Sequence, residues 1–469
     1  MKRATVVATL AMLLTGCTVG KKYQRPAVEI PDVHRGAPVT SVAPTAASLA
    51  DTKWFEVFKD EKLQELVRMS LDSNFDARVA VARIDLARGQ LGITRADQFP
   101  SVNAGAELAT VRSSRSGQLE IPEPEQVKRT FGTVALGLLT FELDIWGRLR
   151  RATEAQRAQL LSEEENQRTI YVTLVAAVAQ AYFELRELDL ELEISQRTLT
   201  SREESLRITR LQEGAGVATM LDVRQAEELV YTASARIPEL KRLIGLQENF
   251  VATLVGVNPR DIPRGAALVD QQMPPEVPAG LTSDLIERRP DIRSAEQQLV
   301  SANALVGVAK AAYFPRISLT GFFGFQSDQL SSLFSGPTRV WSFAPQLSQP
   351  IFQAGRLKSN VRVAKAQREI ALIEYERSIQ NGFREVSDAL ISYQYIREQR
   401  AEQEKLVNAL RDRVRLATLR YEGGIDNYLA VLDAERELFD QDLRLAQLRL
   451  GELTTVVQLY KALGGGWQQ

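Results

Sequence analysis

The chain has 469 residues, room for two or three ordinary domains or one elongated one, and its 58 basic side chains nearly balance 59 acidic ones, so no bulk charge favours nucleic acid. One histidine and one cysteine leave no Cys/His metal cluster and no internal disulfide. No apolar run of about 18 residues follows the leader, and neither a Gly-rich phosphate loop nor a nucleophile elbow is present, so the sequence points to a non-enzymatic protein without metal or cofactor.

Residues 1–16 read as an export signal: Met1-Lys2-Arg3 is basic, and Ala4–Leu14 is apolar but for two threonines, too short to span a bilayer stably. Leu14-Thr15-Gly16-Cys17 resembles the bacterial lipobox, which implies that Cys17 is acylated and becomes the first mature residue. Thr18 follows in place of aspartate, which by the same analogy implies sorting to the outer membrane. Residues 17–60 are then an extended, anchored segment, and His34, close to Pro31 and Pro38, reads as a loop residue rather than a ligand or base.

The rest of the chain repeats itself. Gly147-Arg148-Leu149 recurs as Gly355-Arg356-Leu357, and LQEGAGVATMLDVRQAE (Leu211–Glu227) pairs with LRYEGGIDNYLAVLDAE (Leu419–Glu435) at the same offset. Asp76, Arg78, Phe99 and Pro100 match Asp291, Arg293, Phe314 and Pro315. The repeats occupy 61–270 and 271–463, before a tail at 464–469. Each reads as helix, two strands, long helix, turn, long helix.

Strands are expected at about 99–111, 131–144, 314–326 and 341–352. In FPRISLTGFFGFQ, Ile317, Leu319, Phe323 and Phe325 share one face, and in WSFAPQLSQ, Trp341, Phe343 and Leu347 oppose Ser342, Gln346 and Ser348. Alternation over about ten residues with aromatics near the ends suits an outer-membrane barrel. Long helices are expected over 147–212, 217–256, 355–421 and 426–462. The first, nearly free of Gly and Pro, approaches ~100 Å at 1.5 Å per residue. The second steps by three and four from Val223 through Ala226, Val230, Ala233, Ile237 and Leu240 to Leu254, a coiled-coil seam, with a kink expected at Pro238. Four strands cannot close a barrel, and lipid tolerates no open edge, so copies of the chain must share one; three give 3 × 4 = 12 strands.

With these features in place, the chain resembles the outer membrane factor family, the TolC-like exit ducts of tripartite pumps. The most specific stretches are Tyr23-Gln-Arg-Pro26, ERRPDIR (Glu287–Arg293), GGIDNYLAVLDAE (Gly423–Glu435) and YKALGGGW (Tyr460–Trp467), which look most like the lipoprotein branch serving resistance-nodulation-division multidrug pumps. The resemblance implies a mixed but mostly α fold, a homotrimer in which a 12-stranded β-barrel in the outer membrane continues into a 12-helix periplasmic α-barrel. It also implies a passive gated conduit with a periplasmic adaptor protein and an inner membrane transporter as partners. The helical turns put a tip at Gly214, Gly216, Gly423 and Gly424, where the resemblance implies adaptor docking. It places Leu429 and Asp433 at a periplasmic gate; Arg436, one turn on from Asp433, and Asp222 and Arg224 on the first hairpin are further candidates for interhelical locks. A type I protein secretion duct of the same architecture and a lipid-anchored coiled-coil scaffold without a pore are the competing expectations. Five methionines offer little for copper or silver export.

Overall fold

A computed structural model describes residues 18–36, 49–112, 128–272 and 282–465. Cys17 lies outside them. Helix α1 (Glu61–Ser73) and helix α2 (Phe75–Ala96) lead into strands β1 (Val102–Arg112) and β2 (Lys128–Leu143), followed by helices α3 (Arg148–Gly214) and α4 (Met220–Val255). The second repeat supplies α5 (Pro290–Ala311), β3 (Arg316–Ser327), β4 (Arg339–Ser348), α6 (Arg356–Glu422) and α7 (Tyr428–Ala462). The strand expected to reach residue 352 stops at Ser348, because Pro350 has no N–H to continue a ladder. Helix α4 runs unbroken through Pro238, although the proline leaves the Ser234 carbonyl without its helical donor.

The chain divides into two compact units, 1–27 with 84–163 and 295–375, and 28–83 with 164–294 and 376–469. Each unit draws on both repeats, because helices of 67 residues cannot be confined to one core.

In the first unit the strands form one antiparallel sheet of order β1-β2-β3-β4, leaving β1 and β4 as edges. Its register explains the alternation. Leu136 pairs with Ala104 and Phe323, and Phe323 with Trp341, so these side chains form one cross-strand row; Val102, Leu138 and Phe343 extend the same face. The opposite face carries Thr133 with Gln326 and Ser318 with Gln346, and Gln326 Nε2 donates to Thr133 Oγ1 at 3.1 Å. Trp341, Phe343 and Leu347 are largely exposed, an apolar band that water would penalise and lipid would solvate.

The N-terminal strap is fastened to this unit. Val19 N–H donates to the Trp146 carbonyl, and Thr18 fills the space beside Gly147, where a Cβ would lie 2.7 Å from its methyl. Arg25 grips Glu296 through two bonds of 2.7 Å, and the Tyr23 hydroxyl donates to the same carboxylate at 3.0 Å.

The second unit packs α1, α3, α4, α6 and α7 around Leu63, Val67, Val178, Tyr182, Leu185, Val251, Val386, Val457 and Leu459. Two of the sequence motifs meet here. Buried Arg289 of ERRPDIR donates to the Ala462 carbonyl at the end of α7 and pairs with Asp291 and Glu385. Gly464 takes φ 82° against the backbone of Arg288, which explains a glycine at that point of YKALGGGW. His34 is a loop residue, yet it is buried beside Phe383 with both ring nitrogens unpartnered, and burial lowers its pKa.

Asp60 caps α1 by accepting from Lys62 and Leu63 N–H, and it also accepts from the Tyr182 hydroxyl, Ala266 N–H and Gln271. Burial acts to raise its pKa, but the bonds from Gln271, Leu63, Tyr182 and Lys62 win and hold it below the usual value. Asp60→Ala is expected to cost about 3 kcal/mol, the loss of a cap plus orphaned buried donors, and to show as a lower Tm. The Asp60 contribution in the parent protein, present above the ordinary carboxylate value, is lost as pH falls through the depressed one.

Candidate functional site at the helical hairpin turns

The two turns are copies down to single hydrogen bonds. Val217 and Ala218 N–H both donate to the Gln212 carbonyl; at an offset of 208, Ile425 and Asp426 N–H both donate to that of Arg420. Gly216 at φ 73° and Gly424 at φ 69° supply the left-handed residue each turn requires. Gly214 and Gly423, also expected at the tip, do not take positive φ.

The following helices start differently. Thr219 and Asp222 form a reciprocal capping box on α4, whereas Asn427 makes no side-chain cap on α7, and Arg420 instead pairs with Asp426 at 2.5 Å. Behind the turns Leu206 of α3, Val223, Ala226 and Val230 of α4, and Tyr428, Val431 and Leu432 of α7 form one apolar cluster, and Ala417 and Tyr421 of α6 pack against it, so all four long helices meet there.

Leu429 and Asp433 lie one turn apart on α7, and Leu429 is 55% exposed although apolar. The Asp433 carboxylate accepts from Arg436 on the same helix at 2.8 Å and from Arg413 on α6 at 2.5 Å. The structure therefore brings Asp433 and Arg436 together and adds Arg413, absent from the sequence reading. Its signal was available only by folding α6 back on α7 about Gly424, since the pair is separated by 20 residues. Asp222 accepts both Thr219 N–H and the Thr219 hydroxyl, so it is engaged within its own cap. Arg224 binds Glu227, which also receives Arg210 from α3. Hydrogen bonds from Arg210 and then Arg224 hold the Glu227 carboxyl below its usual pKa. These residues make their bonds within the first hairpin, and among them the link between helices is Arg210–Glu227.

One level deeper, Arg202 is 2% exposed, donates to the Leu229 carbonyl and stacks 4.9 Å from the Phe439 ring centroid. Burial raises the pKa of nearby Glu435, opposed by the Arg202 charge and a bond from Ser205. The arrangement offers fixed charges, an apolar cluster behind the turns, an exposed leucine and helix ends. Among the described residues no cluster of His, Cys, Asp or Glu is set to hold a metal, and no helix is long and apolar enough to cross a membrane.

The family model for outer membrane efflux proteins matches residues 66–257 and 281–465. The "probable efflux pump outer membrane protein TtgC" of Pseudomonas putida is 39% identical over 99% of this chain and 95% of its own length. The outer membrane protein OprJ of Pseudomonas aeruginosa is 36% identical over 98% of this chain and 95% of its own. Among solved structures, the outer-membrane channel OprN superposes with a TM-score of 0.89 at 32% identity, covering 97% of this chain and all (100%) of that one. The open state of the MtrE outer membrane channel of Neisseria gonorrhoeae gives 0.87 at 33%, covering 96% and 99%. With the sheet, the paired hairpins and these matches in agreement over nearly the whole length, the chain belongs to the outer membrane efflux protein family.

Proposed function

We propose that the protein is the outer membrane exit channel of a tripartite efflux pump, a passive gated conduit for drugs and other small molecules. The observation that carries this reading is the four-stranded sheet with one lipid-suited face and two unpaired edges, joined to two helices of 67 residues. The open edges require copies of the chain, and three close a 12-stranded barrel.

Two exposed seams favour the same closure. On α2, which leads into edge β1, Leu86, Gly89 and Ile93 follow one another by three and four; on α6, which follows edge β4, Val363, Ala366, Ile370 and Ile373 do the same. Such spacing gives each helix a coiled-coil face, and these residues are exposed among the described residues. In the trimer, α2 of one copy packs against α6 of the next, directly below the paired β1 and β4 edges.

Cys17 supplies a lipid anchor, and the strap holds residues 18–25 against the base of the sheet. A periplasmic adaptor docks on the turns around Gly214, Gly216, Gly423 and Gly424, and an inner membrane transporter supplies the energy. Threefold symmetry makes Leu429 an apolar collar and Asp433 a ring, locked by Arg413 and Arg436. The Asp222 cap and the Arg224–Glu227–Arg210 link hold the first hairpin in shape.

Coexpression with its adaptor and transporter, in cells stripped of their own exit ducts, is expected to lower accumulation of a fluorescent efflux dye. Unchanged accumulation despite an assembled outer membrane trimer would refute the efflux assignment.

A further inference from the structure

Some way up the first hairpin from the turn, α3 carries two carboxylic acids on successive turns, Glu187 and Glu191, both pointing into the packed helices at 7% and 2% exposure. Neither takes part in the gate described above. Four residues apart on one helix, their carboxyl groups lie on the same buried face, where two negative charges crowd each other and a proton on one of them relieves the repulsion. Among the described residues one cation reaches the pair: Arg236 of α4 donates to Glu191 Oε2 at 2.8 Å and extends its other arm to Glu239 at 2.8 Å. Helix α7 contributes only neutral Gln447, at 3.4 Å from Glu191 Oε1, and Glu184 adds a further negative charge from α3. Ile194, Phe439 and Ala446, with Leu190 and Leu443, line an apolar cluster along the same stretch of α3 and α7.

Two features make this more than a buried ion pair. Arg236 stands two residues before Pro238, where α4 lacks a backbone hydrogen bond and can bend most easily. The second hairpin provides an internal control: at the offset of 208, Glu187, Glu191 and Pro238 correspond to Tyr395, Gln399 and Ala446. The arginine is kept there, as Arg444, but the paired acids and the proline are absent. The repeated architecture therefore does not need them.

We propose that Glu187, Glu191 and Arg236 form a proton-operated latch at the Pro238 hinge, which fastens α4 to α3 when the acid pair holds one proton and loosens the first hairpin when that proton leaves. With one proton the pair carries a single negative charge, matched by Arg236. Without it, two buried carboxylates face one guanidinium, and burial of an unmatched charge opposes the packing. The direction follows from the environment. Burial first, then the nearby Glu191 charge, push Glu187 up to about 8 from the ordinary 4.5, with Arg236 pulling the other way. A carboxyl whose folded value is raised supports the packed state fully below its ordinary value and loses that support as pH climbs toward the folded one. The latch is thus closed in acid and released between about pH 4.5 and 8. Because the gate residues lie elsewhere, it stands or falls independently of the Asp433 assignment.

Amide hydrogen exchange on the full-length assembled protein tests it. Exchange of residues 231–245, around the hinge, is compared with 439–453 in the second hairpin, and the wild type with Glu187→Gln at each pH, so that intrinsic exchange chemistry cancels. In the wild type the hinge segment is expected to exchange at least about tenfold faster, relative to Glu187→Gln, at pH 8.5 than at pH 5, while 439–453 shows a constant ratio. A hinge ratio that does not change with pH would overturn the latch. If Glu187→Gln fails to assemble, the wild-type ratio of the two segments across pH decides alone: a rise supports the latch and a flat ratio refutes it.

Discussion

Replacing Leu429 and Asp433 together by alanine is expected to raise single-channel conductance in planar bilayers several-fold. Each Asp433 accepts one guanidinium from α6 and one from α7, so threefold closure gathers six such pairs. The three side chains are 44% to 64% exposed, so each pair deserves only the surface value of about 0.5 kcal/mol. Six amount to about 3 kcal/mol, close to a hundredfold in the ratio of closed to open channels when opening breaks them all. Removing the leucine collar adds a dewetting barrier to what is lost. Raised salt is expected to open the wild type partly, because exposed pairs are screened, and to leave the double variant unaffected. A wild type already fully open, with no response to either change, would dismiss Asp433 as a gate.

The second large effect is expected at the seams. Ile370→Asp on α6, or Leu86→Asp on α2, places three carboxylates in the contact between copies, each costing several kcal/mol when buried without a partner. The heat-resistant trimer is expected to disappear from gels run without boiling. Asp85→Ala is the control, since Asp85 lies off the seam and pairs with Arg88 at the exposed surface. If Ile370→Asp and Asp85→Ala behave alike, α2 and α6 do not meet between copies.

Much of this fold was legible because the chain states it twice. The punctuation at Gly147 and Gly355 marks where each sheet hairpin gives way to a 67-residue helix, and the two turn sequences share a backbone hydrogen-bond pattern. Alternation identified strands but could not set their order or register. Only the pairing of Phe323 with both Leu136 and Trp341 shows that aromatics from different strands share one face.

Contacts of long range were invisible for a simple reason. The Arg25–Glu296 grip spans 271 residues, and no local period encodes it. His34 looked like an ordinary loop residue because burial by a distant helix leaves no mark on its neighbours in sequence. At the proposed gate, Leu429 and Asp433 were reached through resemblance and Arg436 through its place one turn on from Asp433, while Arg413 and the Glu187–Glu191 pair were not reached. Both omissions have one cause: a charged side chain on a long charged helix reads as part of a solvated face until the packing shows which way it points.

The central claim is that one chain supplies a third of a barrel that only copies can close. The most direct measurement is the number of chains in the detergent-solubilised assembly, from its protein mass after the detergent contribution is subtracted. Three chains that retain β signal are predicted. A single chain that keeps its β signal, or an open-ended series of sizes, would contradict it.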